Sequence, residues 1–295
     1  MPLYFTKPRR WPPSRPVQFI LAFLALLVTM ALLVLWLFIG YQNAKEPSKT
    51  ESTESSAPTD TIAETGNLLL IINEKEHEQF VLIQAAPAAG KMTAVPIPSH
   101  LEVNGGTTLA KVLQKQGSPR AKEALADTLG LPIKQYITLS AKNAESYFNY
   151  LDDGIGLTLR ENVDYTDANG AKVHLSAGDK TLTAAQAAVL LQYADWENPN
   201  NGQKIAADLT VSILNRYLTA NRSMEGHFAA LANVAKTDLR IDDFNAYRST
   251  LAHLAEANDG SLCRLITLNG TDHGMLFKAD VETFRAQSSL YESQT

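Results

Sequence analysis

Leu68-Leu69-Leu70-Ile71-Ile72, set between Asn67 and Asn73, is an unbroken apolar run with polar residues at both ends. It is too short for an ordinary helix and lacks the polar alternation of a half-exposed strand, so it reads as a strand covered on both faces. Outward from it, Phe80-Val81-Leu82-Ile83 and Met92 to Ile97 supply two more strands, the second ending at Pro98. After Gly105-Gly106, the residues Leu109, Val112 and Leu113 share one helical face. Ser118 then offers an N-cap with Pro119 at the first helical position, and Ala121, Ala124, Leu125, Thr128 and Leu129 form the stripe of a second helix. Gly130, followed by Leu131-Pro132, ends it. Ile133 to Leu139 is a further strand with Ile133, Ile137 and Leu139 expected on one face; Ser140 caps a helix whose inner positions are Ala144, Tyr147, Phe148 and Leu151. Strand–helix–strand alternation of this kind predicts a layered α/β domain with parallel pairings.

Gly154-Ile155-Gly156 turns into the strand Leu157-Thr158-Leu159. Val163 to Thr166 and Lys172 to Leu175 flank Asn169-Gly170, a pair that supplies the positive φ angles of a tight hairpin. Thr183 with Gln186 three residues later is a capping box opening a helix through Ala194. Helices are expected at 202–219, 225–235 and 242–257, and Leu262 to Leu268 forms a last strand returning to the sheet.

The other end of the chain is of a different kind. Residues 1–16 carry Lys7, Arg9, Arg10 and Arg15 and no acid, and residues 17–40 contain no charged side chain. A helix of that length is about 36 Å, enough to cross a hydrocarbon layer of about 30 Å. The stretch exceeds the usual apolar core of a cleaved signal peptide, and Gly40 to Ala44 match a cleavage site poorly, so it reads as an uncleaved signal anchor. Positive flanking residues stay in the cytoplasm, which places the remainder of the chain outside the cell membrane and excludes a purely cytosolic protein. Residues 41–66, nine of them Ser or Thr, read as a flexible extracellular linker. A folded domain at 67–287 and a tail at 288–295 complete the expected organisation.

Beyond the basic tail, 22 Lys and Arg stand against 31 Asp and Glu. An acidic exterior domain is poorly suited to nucleic acid, whose binding needs cations to neutralise phosphates. The single Cys263 excludes an intrachain disulfide. No histidine falls in an HExxH-type spacing, and neither Gly105-Gly106 nor Gly154-Ile155-Gly156 has the spacing of a phosphate loop.

The order of elements resembles the LytR-CpsA-Psr family of bacterial cell-envelope proteins. The likeness is carried by Leu131-Pro132-Ile133 with Tyr136, by Leu151-Asp152-Asp153-Gly154-Ile155, and by Val163 to Gly170; it continues through His174 to Gly178 and Leu182 to Ala187. It extends over about Asn67 to Phe284, and a short tail, one span and an exterior domain match the family's usual topology. The resemblance implies a three-layer α/β/α domain with a central mixed sheet. It also implies transfer of glycopolymers, such as teichoic acid or capsule chains, from a polyprenyl pyrophosphate to peptidoglycan. In the family the lipid tail occupies an apolar channel beneath the sheet. Arginines and acidic residues at its mouth hold the pyrophosphate, often with a divalent cation such as Mg2+, because attack at phosphorus builds negative charge that fixed cations stabilise.

Set on this sequence, the family's site positions fall on Glu74, Glu78, Ser99, Gln192, Ala194, Gln203 and Lys204. The expected Arg-Ser-Asp group becomes the Asn73-to-Glu78 turn, with Glu76 facing the arginine position. The Ile-Pro-Arg-Asp turn becomes Ile97-Pro98-Ser99-His100, an Arg-x-Arg becomes Gln192-Tyr193-Ala194, and a Gly-Arg-x-x-Arg-Gln group becomes Gly202 to Asp208. No arginine remains in the set; a one-residue gap puts Lys204 on one position, a point charge in place of a bidentate fork. Glu74 and Glu78, with Glu76 and His77, are candidate ligands for a divalent cation; a solvated turn between strands has the same composition. His100, beside Ser99 in the active-site turn, is a candidate for binding substrate. Tyr193 and Trp196, beside Asp195 and Glu197, suit either a sugar face or the sealing of a core edge. The favoured reading is a membrane-anchored envelope protein that binds a polyprenyl-linked glycan or peptidoglycan, with phosphotransfer impaired or absent. The alternatives are an active transferase, which would need Arg120, Arg160 or Arg216 gathered at the channel, and a non-catalytic structural or partner-binding protein.

Overall fold

Leu68 to Ile72 lie inside the first strand of a six-stranded mixed sheet. The computed structural model describes residues 66–74, 77–86, 90–151, 154–167, 169–218, 224–241, 243, 254 and 262–292. Strands β1 (Gly66–Ile72), β2 (Gln79–Ala86) and β3 (Lys91–Ile97) form an antiparallel meander. Short strands β4 (Glu102–Val103) and β5 (Thr107–Thr108) lead into helix α1 (Leu109–Leu129). The chain then returns as β6 (Gln135–Leu139), parallel to β1 with Leu70 opposite Ile137. Helix α2 (Ala141–Asn149) follows, then β7 (Ile155–Leu159), the hairpin β8 (Val163–Thr166) and β9 (Lys172–Leu175), and β10 (Gly178–Leu182), which pairs antiparallel with β7. Helices α3 (Ala184–Gln192), α4 (Pro199–Leu218) and α5 (Met224–Val234) precede the edge strands β11 (Lys236–Thr237) and β12 (Cys263–Leu265). The exposed hairpin β13 (Gly270–His273) and β14 (Leu276–Ala279) and helix α6 (Val281–Glu292) end the described chain. The sheet order is β11-β6-β1-β2-β3-β12, with β12 parallel to β3.

Period-two alternation sends neighbouring residues of β1 to opposite faces, and both faces are covered. Leu69 and Ile71, with Phe80, Leu82, Val95 and Ile97, pack on α1 and on Phe284 of α6. Ile72, Val81, Ala94, Ile137 and Leu139 pack on α2, α3 and α4. Each fully buried aliphatic side chain here contributes about 1.5–3 kcal/mol. Buried Gln79 joins two helices across the second core: its amide donates to the Leu191 carbonyl (2.9 Å) and accepts from the Ala206 N–H (3.1 Å).

Several helix signals hold. Ser140 accepts from the Asn143 N–H (3.1 Å), and Thr183 and Gln186 form the reciprocal capping box. Gly130 closes α1 in the left-handed conformation at φ 62°. The helices expected on either side of Ser118 run as one element bent at Gly117, whose φ of 82° and ψ of 177° are open to glycine.

Other expectations need correction. Ile133 joins the first core, away from Ile137 and Leu139, because the strand starts only at Gln135, after Pro132. The capping-box helix stops at Gln192 instead of Ala194, since Tyr193 turns to an extended backbone. Helix α4 starts at Pro199, three residues before Gly202, where proline's fixed φ suits a first turn. Thr166 pairs with Lys172, so five positions separate the β8 and β9 pairing, and among the described residues of the turn only Gly170 takes a positive φ; Asp167 accepts the N–H groups of Asn169 and Ala171. Most of the helix expected at 242–257, and all of residues 1–65, lie outside the described residues. Among the described residues no helix is long and apolar enough to cross a membrane.

Candidate functional site

The turn after β1 divides its glutamates between helices. The Glu74 carboxylate accepts from the Ala141 N–H at the start of α2, where the helix dipole favours a negative charge. Glu78 is buried and accepts from the Gln114 amide of α1 at 2.6 Å. Glu76 lies outside the described residues. No group of three or more His, Cys, Asp or Glu side chains converges as a metal site among the described residues. Glu74 and Glu78 do not fit a shared divalent cation, because each already serves a separate helix.

The turn after β3 is better placed. Pro98 accepts the Leu101 N–H (3.0 Å) and Ser99 the Ala110 N–H (3.0 Å), both through backbone carbonyls. Ser99 thus ties the turn to α1, while His100 points the other way. His100 Nε2 lies 3.2 Å from Asp272 Oδ1, its ring stands edge-on to Phe277, and its carbonyl accepts the Phe277 N–H (2.9 Å). The β13–β14 hairpin is therefore fastened to this turn from 172 positions away in sequence. Between them and the first turns of α4 is a cavity of about 260 Å³ lined by His100, Asn200, Gln203, Lys204 and Asp272. Of the candidate residues, His100, Gln203 and Lys204 line this one cavity. Asn200, Asp272 and Phe277 are additions that no local pattern marked.

Gln192 and Ala194 fall at and beyond the end of α3, outside this cavity. Tyr193 and Trp196 stack edge-on at 5.2 Å and pack against the second core. Gly202 makes the room: a Cβ there would stand 2.6 Å from the Trp196 ring. The loop is gathered by one carboxylate, Glu161, which accepts from the N–H groups of Glu197 and Asn198 and from the Asn201 amide. Both rings pack at the edge of the second core, and the indole Nε1 is buried without a hydrogen-bond partner among the described residues.

Beneath the sheet is a second, apolar hollow of about 120 Å³, lined by Leu70 and Ile72 of β1, Phe148 of α2, Leu209 and Ile213 of α4, and Leu231 of α5. It is smaller than the ~150 Å³ cavity that admits benzene in a well-packed core. Helix α4 borders both spaces, with Gln203 and Lys204 at the polar one and Leu209 and Ile213 at the apolar one. Among the described residues no arginine lines either. Arg120 pairs with Glu123 on α1, Arg160 with Asp208, and Arg216 donates to the Gly154 carbonyl.

Such an arrangement, a mixed sheet between helices with a polar cavity at the end of β3 and an apolar hollow below, defines a layered α/β domain. No protein-family model and no curated protein matches the chain. Solved structures do. A protein from Eubacterium siraeum described as a transcription regulator superposes with a TM-score of 0.69 at 15% identity, covering 84% of this chain and 100% of that one. TagV of Bacillus subtilis superposes at 0.64 and 14% identity, covering 79% and 99%. TagT bound to LI-WTA superposes at 0.60 and 14% identity, covering 82% and 93%. TagT and TagV are LytR-CpsA-Psr proteins, and the chain has their fold.

Proposed function

We propose that the protein is an envelope protein that binds a polyprenyl-linked glycopolymer precursor and lacks efficient phosphotransfer. The observation that carries this reading is the pairing of two spaces along α4: an apolar hollow that must widen to take a lipid tail, and a polar cavity lined by Lys204 and, among the described residues, by no arginine. TagT, of the same fold, was solved with LI-WTA bound, which supports a lipid-linked ligand for this class. Phosphotransfer needs preorganised cations around the leaving phosphate. Here Lys204 shares its cavity with Asp272, so developing negative charge meets a carboxylate as well as an ammonium. Residues 1–16 would stay cytoplasmic and residues 17–40 anchor the chain. The linker at 41–66 would hold the 67–287 domain outside the cell membrane, with residues 288–295 as its tail.

The test uses the full chain in lipid nanodiscs with farnesyl pyrophosphate and Mg2+, measuring binding by calorimetry and phosphate release by colorimetry. Binding without release is expected, weakened about ten-fold in Lys204→Ala. Release at the rate of an active LytR-CpsA-Psr enzyme would overturn the loss of transfer, and absence of binding would overturn the lipid reading.

A further inference from the structure

The β13–β14 hairpin is anchored at its base and free at its tip. Leu268 before it and Phe284 after it are buried in the first core, and the Asp280 N–H donates to the Asn269 carbonyl (2.8 Å) across the base. At the other end Met275 is 85% exposed. Between base and tip, two hydrogen bonds and one ring contact join the hairpin to the turn after β3, and all three end on His100. Leu101 beside it adds a lone parallel bridge to Phe277. Held in this way, the hairpin supplies one wall of the polar cavity through Gly270, Asp272 and Phe277, while α4 supplies Gln203 and Lys204.

Strand register sorts the hairpin's side chains by face. Asp272 stands opposite Phe277, and both line the cavity. Thr271 and His273, joined to each other at 3.1 Å, and Lys278 alternate to the other face. The Phe277 N–H leaves the hairpin for the His100 carbonyl, so that amide reports directly on docking. A Cβ on Gly270 would overlap the Phe277 ring, so glycine lets this ring lie close against β13 and meet the imidazole edge-on.

A carboxylate holds an imidazole more tightly when the ring is charged, because charge-assisted hydrogen bonds are the stronger kind. Histidine is the side chain whose charge changes between pH 5 and 8. The charged groups around His100 are Asp272 from β13, Lys204 from α4, and Glu102 two positions along its own segment. The rest of the described cavity wall is uncharged, and α1, tied to the turn through Ala110, adds no residue to it. Of these groups Asp272 is the one bonded to the ring, at 3.2 Å. Both side chains are partly solvated, His100 at 35% and Asp272 at 72%, so the bond is weak enough to break and remake. A cationic ring holds the hairpin down; as pH rises and the ring loses its charge, the bond weakens and the hairpin lifts more often.

We propose that the β13–β14 hairpin is a flap over the polar cavity, latched by the His100–Asp272 pair, and that it opens more readily as pH rises through the range in which imidazole becomes neutral. The flap governs access to the cavity and does not depend on which ligand enters it.

The test follows the full chain in nanodiscs from pH 5.5 to 8 with no ligand added, so its outcome is separate from that of the farnesyl pyrophosphate experiment. Amide hydrogen exchange, corrected for the intrinsic rate at each pH, is read at Phe277 by mass spectrometry. Amine acylation is read at Lys204 relative to exposed Lys115. Across this range Phe277 protection should fall about three-fold and relative Lys204 labelling should rise by a similar factor. Asp272→Asn and His100→Gln should each show the high-pH values throughout, while His273→Ala, on the other face, should keep the step. A purely structural role for the pair would shift all values without changing their pH dependence. A flat profile at either Phe277 or Lys204, a step that survives Asp272→Asn, or a step lost in His273→Ala would each overturn the proposal.

Discussion

Asp280 caps α6: its carboxylate accepts from the Thr283 hydroxyl (2.6 Å) and the Thr283 N–H (3.0 Å). Those bonds, the hydroxyl's first, lower its pKa below the ordinary carboxylate value. The capping contribution is therefore complete above the unfolded-state pKa of about 3.9 and is lost as pH falls through the lower folded-state value. The Thr283 amide resonance should titrate with an inflection below that ordinary value; an inflection at or above it would contradict the assignment. At this scale the sequence is informative where a side chain acts on its own neighbours, as Ser140 and Thr183 do. It is silent where partners are distant. Nothing near His100 announces Asp272, and nothing in the Asn73-to-Glu78 turn shows that Glu74 and Glu78 will be drawn to different helices. The Trp196 reading was open for the same reason, since only the fold brings Gly202 against the indole.

Elements were legible as runs and less so at their ends. The apolar strands and the stripe of α1 follow from periodicity, a property of the whole segment. Ends depend on single residues whose surroundings are tertiary. Tyr193 leaves the helix while packing on Trp196, and Ile133 falls short of the strand because Asn67 holds the Pro132 carbonyl (2.9 Å). Gly130 is a C-terminal end on which sequence and structure agree. Its φ of 62° disfavours any Cβ, and the built Cβ would overlap Arg285, whose Nε donates to the Leu129 carbonyl at 2.8 Å. Gly130→Ala should lose about 1–2 kcal/mol from backbone conformation, or more if Arg285 is displaced, measured by urea denaturation. A neutral result would mean that α1 ends differently in solution.

The molecule as a whole rests on two cores separated by one sheet. Leu125 of α1 is buried in one, Leu190 of α3 in the other. Leu125→Ala and Leu190→Ala should each cost about 2–5 kcal/mol. Having no shared neighbours, they should add to within about 0.5 kcal/mol in the double variant, in a single unfolding transition. Two separated transitions would show that the sheet does not couple the layers. The layering could be anticipated from Leu68 to Ile72 alone, whereas the Arg160–Asp208 pair could not, because its members are 48 positions apart. One buried side chain also governs how the interior can yield. Gln79 rivets the end of α3 to α4, and parting those helices would strand an amide inside the protein at a cost of about 1–3 kcal/mol. Any guest that must enlarge the space under the sheet therefore meets a stiff wall on that flank.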